Sequence, residues 1–186
     1  MTIFTRYIAL GDSMTEGMTD EMVNGQYRGW ADRIADVLAT MSPDFSYLNL
    51  AIRGKLLAQV IDDQIPLARK FIQGKETLVS FHAGANDVLR PNYNSELTFR
   101  LYEKGAAEIS ATDATLMLFT VIEKATGKGK TAELWERRFK EFNINARRVA
   151  AVHNAILIEW NEALFLSDRR FLAADRLHLN PEGHHR

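Results

Sequence analysis

Apolar positions fall into two alternating rhythms along the chain. Short runs at 6–10, 47–52, 77–83, 115–122 and 155–160 are apolar at nearly every position, as strands covered on both faces are. Between them, apolar residues recur every three or four positions, the spacing of one helical face. Trp30, Ile34, Val37 and Met41 form one such series, and Leu57, Val60, Ile61 and Ile65 a second. A third, Trp135, Phe139, Phe142, Ala146, Val149 and His153, steps by 4, 3, 4, 3 and 4 and predicts a long helix with one apolar stripe. Strands alternating with helices predict βαβ units and a parallel sheet of five strands. No repeat, low-complexity stretch or linker divides the chain, so the reading is a single doubly wound α/β domain over residues 1–186.

Composition narrows this picture without changing it. A chain of 186 residues buries roughly 70% of its unfolded surface, enough for a full core. The 46% apolar and 25% charged fractions are those of a globular protein, which argues against disorder and coiled coil. With 23 basic and 24 acidic side chains the net charge is −1. Such a balance calls for neither a nucleic acid nor an anionic membrane as partner. Cysteine is absent, which excludes disulfides, zinc–thiolate sites and cysteine nucleophiles. No apolar run is long enough to span a bilayer. The amino-terminal residues lack the pattern of a secretion signal, so a cytoplasmic location is expected.

In an open parallel sheet, ligands bind beyond the carboxyl ends of the strands. After the first strand comes Gly11-Asp12-Ser13-Met14-Thr15-Glu16-Gly17. The glycine permits a sharp exit, and a helix starting nearby would aim N–H groups at the Ser13 oxygen. Asp and Ser in this position are also common helix caps, and the sequence alone leaves both readings open. A serine nucleophile needs a base and the base needs an orienting group. Asp175-Arg176-Leu177-His178 offers both, three residues apart and after the fifth strand, although such pairs also serve as surface hydrogen bonds. Charge on an attacked carbonyl would be met by the N–H of Ser13, the N–H of Gly54 after strand two and the side-chain amide of Asn86 after strand three. Losing one such donor typically costs about 3–4 kcal/mol of barrier. Gly and Asn are equally the residues that tolerate strained strand exits.

Gly-Asp-Ser-Met at 11–14, Gly54, Gly84-Ala85-Asn86-Asp87 and Asp175-Arg176-Leu177-His178, in this order, resemble the motifs of the SGNH hydrolases, also called GDSL esterases/lipases. The resemblance runs from Leu10 to about His184 and is strongest to the compact bacterial single-domain members. It implies a flavodoxin-like, three-layer α/β/α fold with five parallel strands. It also implies Ser13 as nucleophile, His178 as general base, Asp175 as its orienting acid, and Ser13, Gly54 and Asn86 as oxyanion donors. The substrate would be a small-molecule ester, with no cofactor and no metal. Met14 replaces the leucine of the family name, and Asp12 is expected to hold the turn through backbone hydrogen bonds. Asp12, Met14, Asp87 and Tyr93 are expected at the substrate pocket.

Two rival functions stay open: a metal-dependent phosphohydrolase using Asp12, Glu16 and Asp87 as oxygen ligands, and a non-catalytic acyl- or sugar-binding module on the same scaffold. Gly127-Lys128-Gly129-Lys130-Thr131 resembles half a phosphate loop, but Lys124 stands where the pattern needs glycine. The loop 123–130 is expected to be a basic lid, and 18–28 and 90–95 read equally as loops that shape specificity and as plain surface loops. His82 and His153 are expected to be packed, and His184 and His185 lack the spaced partners of a metal site. Asn180-Pro181-Glu182 announces a helix that stops at Arg186. Family members usually continue into a closing helix, so a truncated chain, a second copy or a partner is expected at the face it would cover.

Overall fold

A computed structural model of the chain describes residues 3–123, 128–163 and 168–186. Strand β1 (Arg6–Gly11) is followed by a small hairpin, β2 (Met22–Val23) and β3 (Gln26–Tyr27), which pair only with each other. The main sheet adds β4 (Ser46–Asn49), β5 (Thr77–His82), β6 (Thr115–Phe119) and β7 (Ile156–Ile158) to β1, in the order β4-β1-β5-β6-β7. All its pairings are parallel, with Ile8 between Leu48 and Val79. This is the flavodoxin-like order, and the strand order reverses between β1 and β5. The crevice beyond those two carboxyl ends is where the topology places a ligand.

Two-sided burial explains the continuous apolar runs. Ile8, Leu10, Val79, Phe81, Leu116 and Leu118 face one core, and Tyr7, Ala9, Leu78, Met117 and Phe119 face the other, as the period of two requires. Full burial of each large side chain is worth roughly 1.5–3 kcal/mol. The first core is covered by α3 (Leu57–Gln59), a π turn (Val60–Gln64), α4 (Ile65–Arg69), α6 (Ser95–Ser110) and α7 (Lys130–Val152). The second is covered by α2 (Trp30–Ala39) and by Trp160. Among the described residues, short helices α1 (Ser13–Glu16), α5 (Ala85–Val88) and α8 (Pro181–His185) complete the α-helices.

Several expected boundaries move. The run at 47–52 pairs as a strand only to Asn49, whose side chain then accepts from the Ala51 N–H at 3.0 Å. The run at 115–122 stops at Phe119, because Val121 pairs with a side chain instead of a strand. The α2 stripe also differs: Val37 is 56% exposed and Met41, beyond the helix end, 50%. The small residues Ala31 and Ala35, next to Trp30, face the sheet instead. Helix α6 had no counterpart among the predicted series, since its buried stripe of Thr98, Tyr102, Gly105, Ala106 and Ile109 is weakly apolar. Gly105 lets it approach closely, for a Cβ there would lie 2.8 Å from the Phe81 ring.

Candidate active site

The site grows from the exit of β1. Gly11 has φ +156, and a Cβ on it would stand 2.3 Å from the His82 carbonyl oxygen, so only glycine fits. Gln64, from the π turn, presses its amide edge-on against Gly11: Oε1 accepts from the Gly11 N–H and Nε2 donates to the Gly11 carbonyl, both at 2.9 Å. Asp12 then caps α1, with Oδ1 accepting from the Met14 N–H at 3.2 Å. Ser13 is the first residue of α1, and N–H groups of a first turn have no partner within their helix.

His178 reaches this serine from the other end of the chain. Its Nε2 lies 2.8 Å from Ser13 Oγ, and its Nδ1 lies 2.6 Å from Asp175 Oδ2. Ser13 and His178 are both buried. Asp175 also uses Oδ1 to accept the N–H groups of Leu177 at 3.0 Å and His178 at 3.1 Å. Burial pushes the Asp175 carboxyl up, but these donors and the imidazole outweigh it and hold it below the usual carboxylate range. A carboxylate that fixes Nδ1–H leaves Nε2 as an acceptor for the serine proton.

The remaining expected residues are placed as follows. Asn86 lies beside Asp12, donating from Nδ2 to Asp12 Oδ2 at 3.1 Å and to the Lys55 carbonyl at 3.0 Å. Both of its amide hydrogens are thus engaged. Gly54 occupies an exposed turn at φ +76 and is not among the residues that line the cleft. Asp12 and Met14 do line it. Asp87 and Tyr93 were expected there and are not: Asp87 Oδ2 accepts from the Leu57 N–H at 2.9 Å, and the Tyr93 ring lies under the Arg138 guanidinium at 4.9 Å. The turn that carries Asn86 points Asp87 toward α3, and the loop after it runs outward along α7. The carboxylates proposed as metal ligands are committed separately, Glu16 being paired with Arg53 at 2.6 Å. Among the described residues, no three His, Asp or Glu side chains gather as a metal would need.

The cleft above Ser13 has a volume of about 310 Å³. One side is the apolar wall of Val121, Ile122, Trp135 and Phe139. Val121 is held there by Asn143 of α7, which accepts its N–H and donates to its carbonyl, each at 2.8 Å. His82 borders the cleft from β5, enclosed by Trp160 at 4.6 Å and Phe119 at 5.1 Å between ring centroids, and burial pushes its pKa down to about 4. Burial pushes Asp12 up to about 6, against the Met14 N–H that it accepts. His184 is buried, with Nε2 3.3 Å from the Met18 carbonyl, and Thr19 Oγ1 donates to the Leu179 carbonyl at 2.7 Å. The loop 18–28 therefore carries the β2–β3 hairpin and also braces the His178 segment. Of the basic lid at 123–130, residues 124–127 lie outside the described residues.

Sequence reasoning missed Gln64 and Asn143. Each left a signal, a polar residue inside an apolar helical series, since buried polar groups are retained where they are hydrogen-bonded.

The family model described as GDSL-like lipase/acylhydrolase matches residues 9–186. A search of curated protein sequences finds no significant match. Among solved structures, a catalytic mutant of Axe2, an acetylxylan esterase from Geobacillus stearothermophilus, superposes with a TM-score of 0.77 at 17% identity, covering 100% of this chain and 92% of that one. A lipase/acylhydrolase from Enterococcus faecalis gives 0.73 at 22% identity over 97% and 89%. The psychrotrophic esterase EstA from Pseudoalteromonas sp., inhibited by monoethylphosphonate, gives 0.73 at 18% identity over 97% and 90%. At these identities the structural likeness speaks for the fold.

Proposed function

The chain belongs to the GDSL-like lipase/acylhydrolase family and is a carboxylic ester hydrolase, and on that premise we propose that it works through an acyl-enzyme on Ser13. Ser13 Oγ attacks the carbonyl carbon of an ester, thioester or O-acetyl group while His178 Nε2 takes its proton. Asp175 holds Nδ1–H and stabilises the imidazolium that forms. The same proton passes to the leaving alcohol or thiol. Water then attacks the acyl-enzyme, again giving its proton to His178, which passes it to Ser13 Oγ as the acid is released.

The negative oxygen of each tetrahedral intermediate is received by the Ser13 N–H and Asn86 Nδ2, while Gly54, on its exposed turn outside the cleft lining, takes no part. Asn86 enters this role by exchanging one of its two bonds, to Asp12 or to the Lys55 carbonyl, for the oxyanion. A donor that starts out bonded within the protein keeps its position without solvent reorganisation.

The observation that carries the reading is the unbroken path from Asp175 through His178 to Ser13, with contacts of 2.6 and 2.8 Å. A fluorophosphonate probe tests it. The wild-type protein is expected to label once per chain, Ser13→Ala not at all, and both Ser13→Ala and His178→Ala are expected to lose roughly 10³-fold or more in activated-ester hydrolysis. An unlabelled wild type or a labelled Ser13→Ala variant overturns the assignment.

A further inference from the structure

We infer that the cleft selects esters of medium-length alkanoic acids, with Trp135 and Phe139 setting the length of acyl chain admitted. The inference rests on the proposed role of Ser13 and names the acyl group delivered to it.

The first ground is the chemistry of the walls. Met14, Leu89, Val121, Ile122, Trp135 and Phe139 give the cleft an apolar lining beside Ser13. Most polar side chains that share it are engaged with one another, Ser13, His178 and Asp175 in one chain and Asp12 and Asn86 in another, while Arg176 lines the rim beside Asp175. His82 faces the rings of Trp160 and Phe119. An acyl group entering between these walls meets carbon, and a polyhydroxylated one would leave its hydroxyls unpaired.

The second ground is size. A methylene takes about the 30 Å³ that a water molecule occupies in the liquid. The cleft of about 310 Å³ is therefore far larger than an acetyl group needs. At about 30 Å³ for each methylene it has room for about ten carbons at most, shared between the acyl chain and the leaving alcohol.

The third ground is that the wall is preformed. Trp135 and Phe139 stand one turn apart on α7, so their rings lie on the same face of that helix. Four residues further on, Asn143 locks Val121 through two bonds of 2.8 Å. The same helix thus supplies two of the wall's side chains and fixes the backbone that supplies a third.

The test is kcat/KM for p-nitrophenyl esters from acetyl to palmitoyl, in the wild type and two opposite variants. Each methylene buried is expected to raise kcat/KM roughly fourfold, equivalent to about 0.8 kcal/mol, up to a maximum between hexanoyl and decanoyl. Trp135→Ala enlarges the cleft and should move the maximum to longer chains. Leu89→Trp fills it and should move the maximum to shorter ones, so either variant alone suffices if the other fails to fold. Highest activity on acetyl, or a profile that both folded variants leave in place, overturns the chain-length inference while fluorophosphonate labelling of Ser13 persists. Absence of both labelling and hydrolysis overturns the acyl-enzyme reading and this inference with it.

Discussion

Ser13 and His178 share a hydrogen bond of 2.8 Å but are held by supports of opposite kinds. The serine sits where a central strand meets a helix. Gly11 is paired with the neighbouring strand and clasped by Gln64, and Asp12 is buried beneath the turn. The histidine sits in a loop without regular structure, closed by an isolated bridge of Leu172 with Leu179 and followed by the short helix α8. Besides the backbone bonds of that bridge, such as Ala173 N–H to the His178 carbonyl at 2.9 Å, its place is set by side chains: Asp175 bonded to two successive N–H groups, Asn180 to the carbonyls of Arg170 and Leu172, Thr19 to that of Leu179. Arg176, between the acid and the base, takes φ +57 to make the turn. Sheet register fixes one partner, and a handful of local bonds fixes the other. Damage to the first should appear as lost stability and damage to the second as lost rate.

Asp175→Asn gives the largest effect and puts the comparison at risk directly. Asparagine keeps the shape but favours the wrong imidazole tautomer. Because the Asp175 side chain is 40% exposed, water supports part of its role, and kcat is expected to fall about 10²- to 10³-fold. Urea denaturation should show little change. A large loss of stability with kcat intact would mean that the loop is a structural element and the comparison is wrong. Gln64→Leu is the converse. It leaves the Gly11 N–H buried without its acceptor while Ile52 still serves the Gly11 carbonyl. The expected loss is about 3 kcal/mol of unfolding free energy, measured in urea, with a smaller change in KM.

The same contrast explains what the sequence disclosed. The strands around Ser13 were legible because burial on both faces leaves an apolar run, and the motifs after β1 and β5 lie where such strands end. Asp175 and His178 were legible only as a spacing, since nothing local says that a loop so far along the chain folds back over β1. Their meeting depends on Thr19, His184 and Asn180, whose bonds are to backbone carbonyls and follow no sequence rule. Tyr93 shows the same limit from the other side. Its loop was correctly read as following the Asn86 turn, but Arg138 of α7 draws the ring away from the cleft. The α2 stripe was misread because Ala31 and Ala35 carry too little apolar surface to outweigh Val37 and Met41 in a periodicity count, although close packing on a sheet favours the small residues.

A titration separates the two halves on a finer scale. Asp12 ionises at about 6 in the folded chain and near 3.9 in the unfolded one. The folded state therefore binds this proton more tightly, and stability is greatest below pH 4 and declines as pH rises to 6. Asp12→Asn removes that decline. At pH 8 the relief is about 3 kcal/mol, less about 1 kcal/mol for a weakened bond to Met14 or Asn86, so the variant should be about 2 kcal/mol more stable. The advantage should vanish below pH 4. His82 runs the other way, because its pKa of about 4 lies below the unfolded value near 6.5, and stability present above pH 6.5 is lost as pH falls to 4. The two windows overlap and offset in the wild type. Unfolding of Asp12→Asn should therefore slope more steeply with acid between pH 6.5 and 4, and a parallel pair of curves would remove Asp12 from the nucleophile's support.

Thr19→Val is the mildest and most selective probe of the base's tether. Valine keeps the branched shape that threonine carries at φ +74, but it cannot donate to the carbonyls of Met18 and Leu179. The bond to Leu179 is worth about 1 kcal/mol, and Leu179 directly follows the base. If His178 depends on this brace, kcat should fall by a few-fold with KM hardly moved, alongside a drop in the urea midpoint that reflects no more than this roughly 1 kcal/mol. Thr19→Ser, which restores the donor without the methyl, should recover the rate. A loss of stability with kcat unchanged, or a failure of serine to rescue the rate, would show that Thr19 matters for packing alone and that Asp175 and Asn180 suffice to hold the histidine over Ser13.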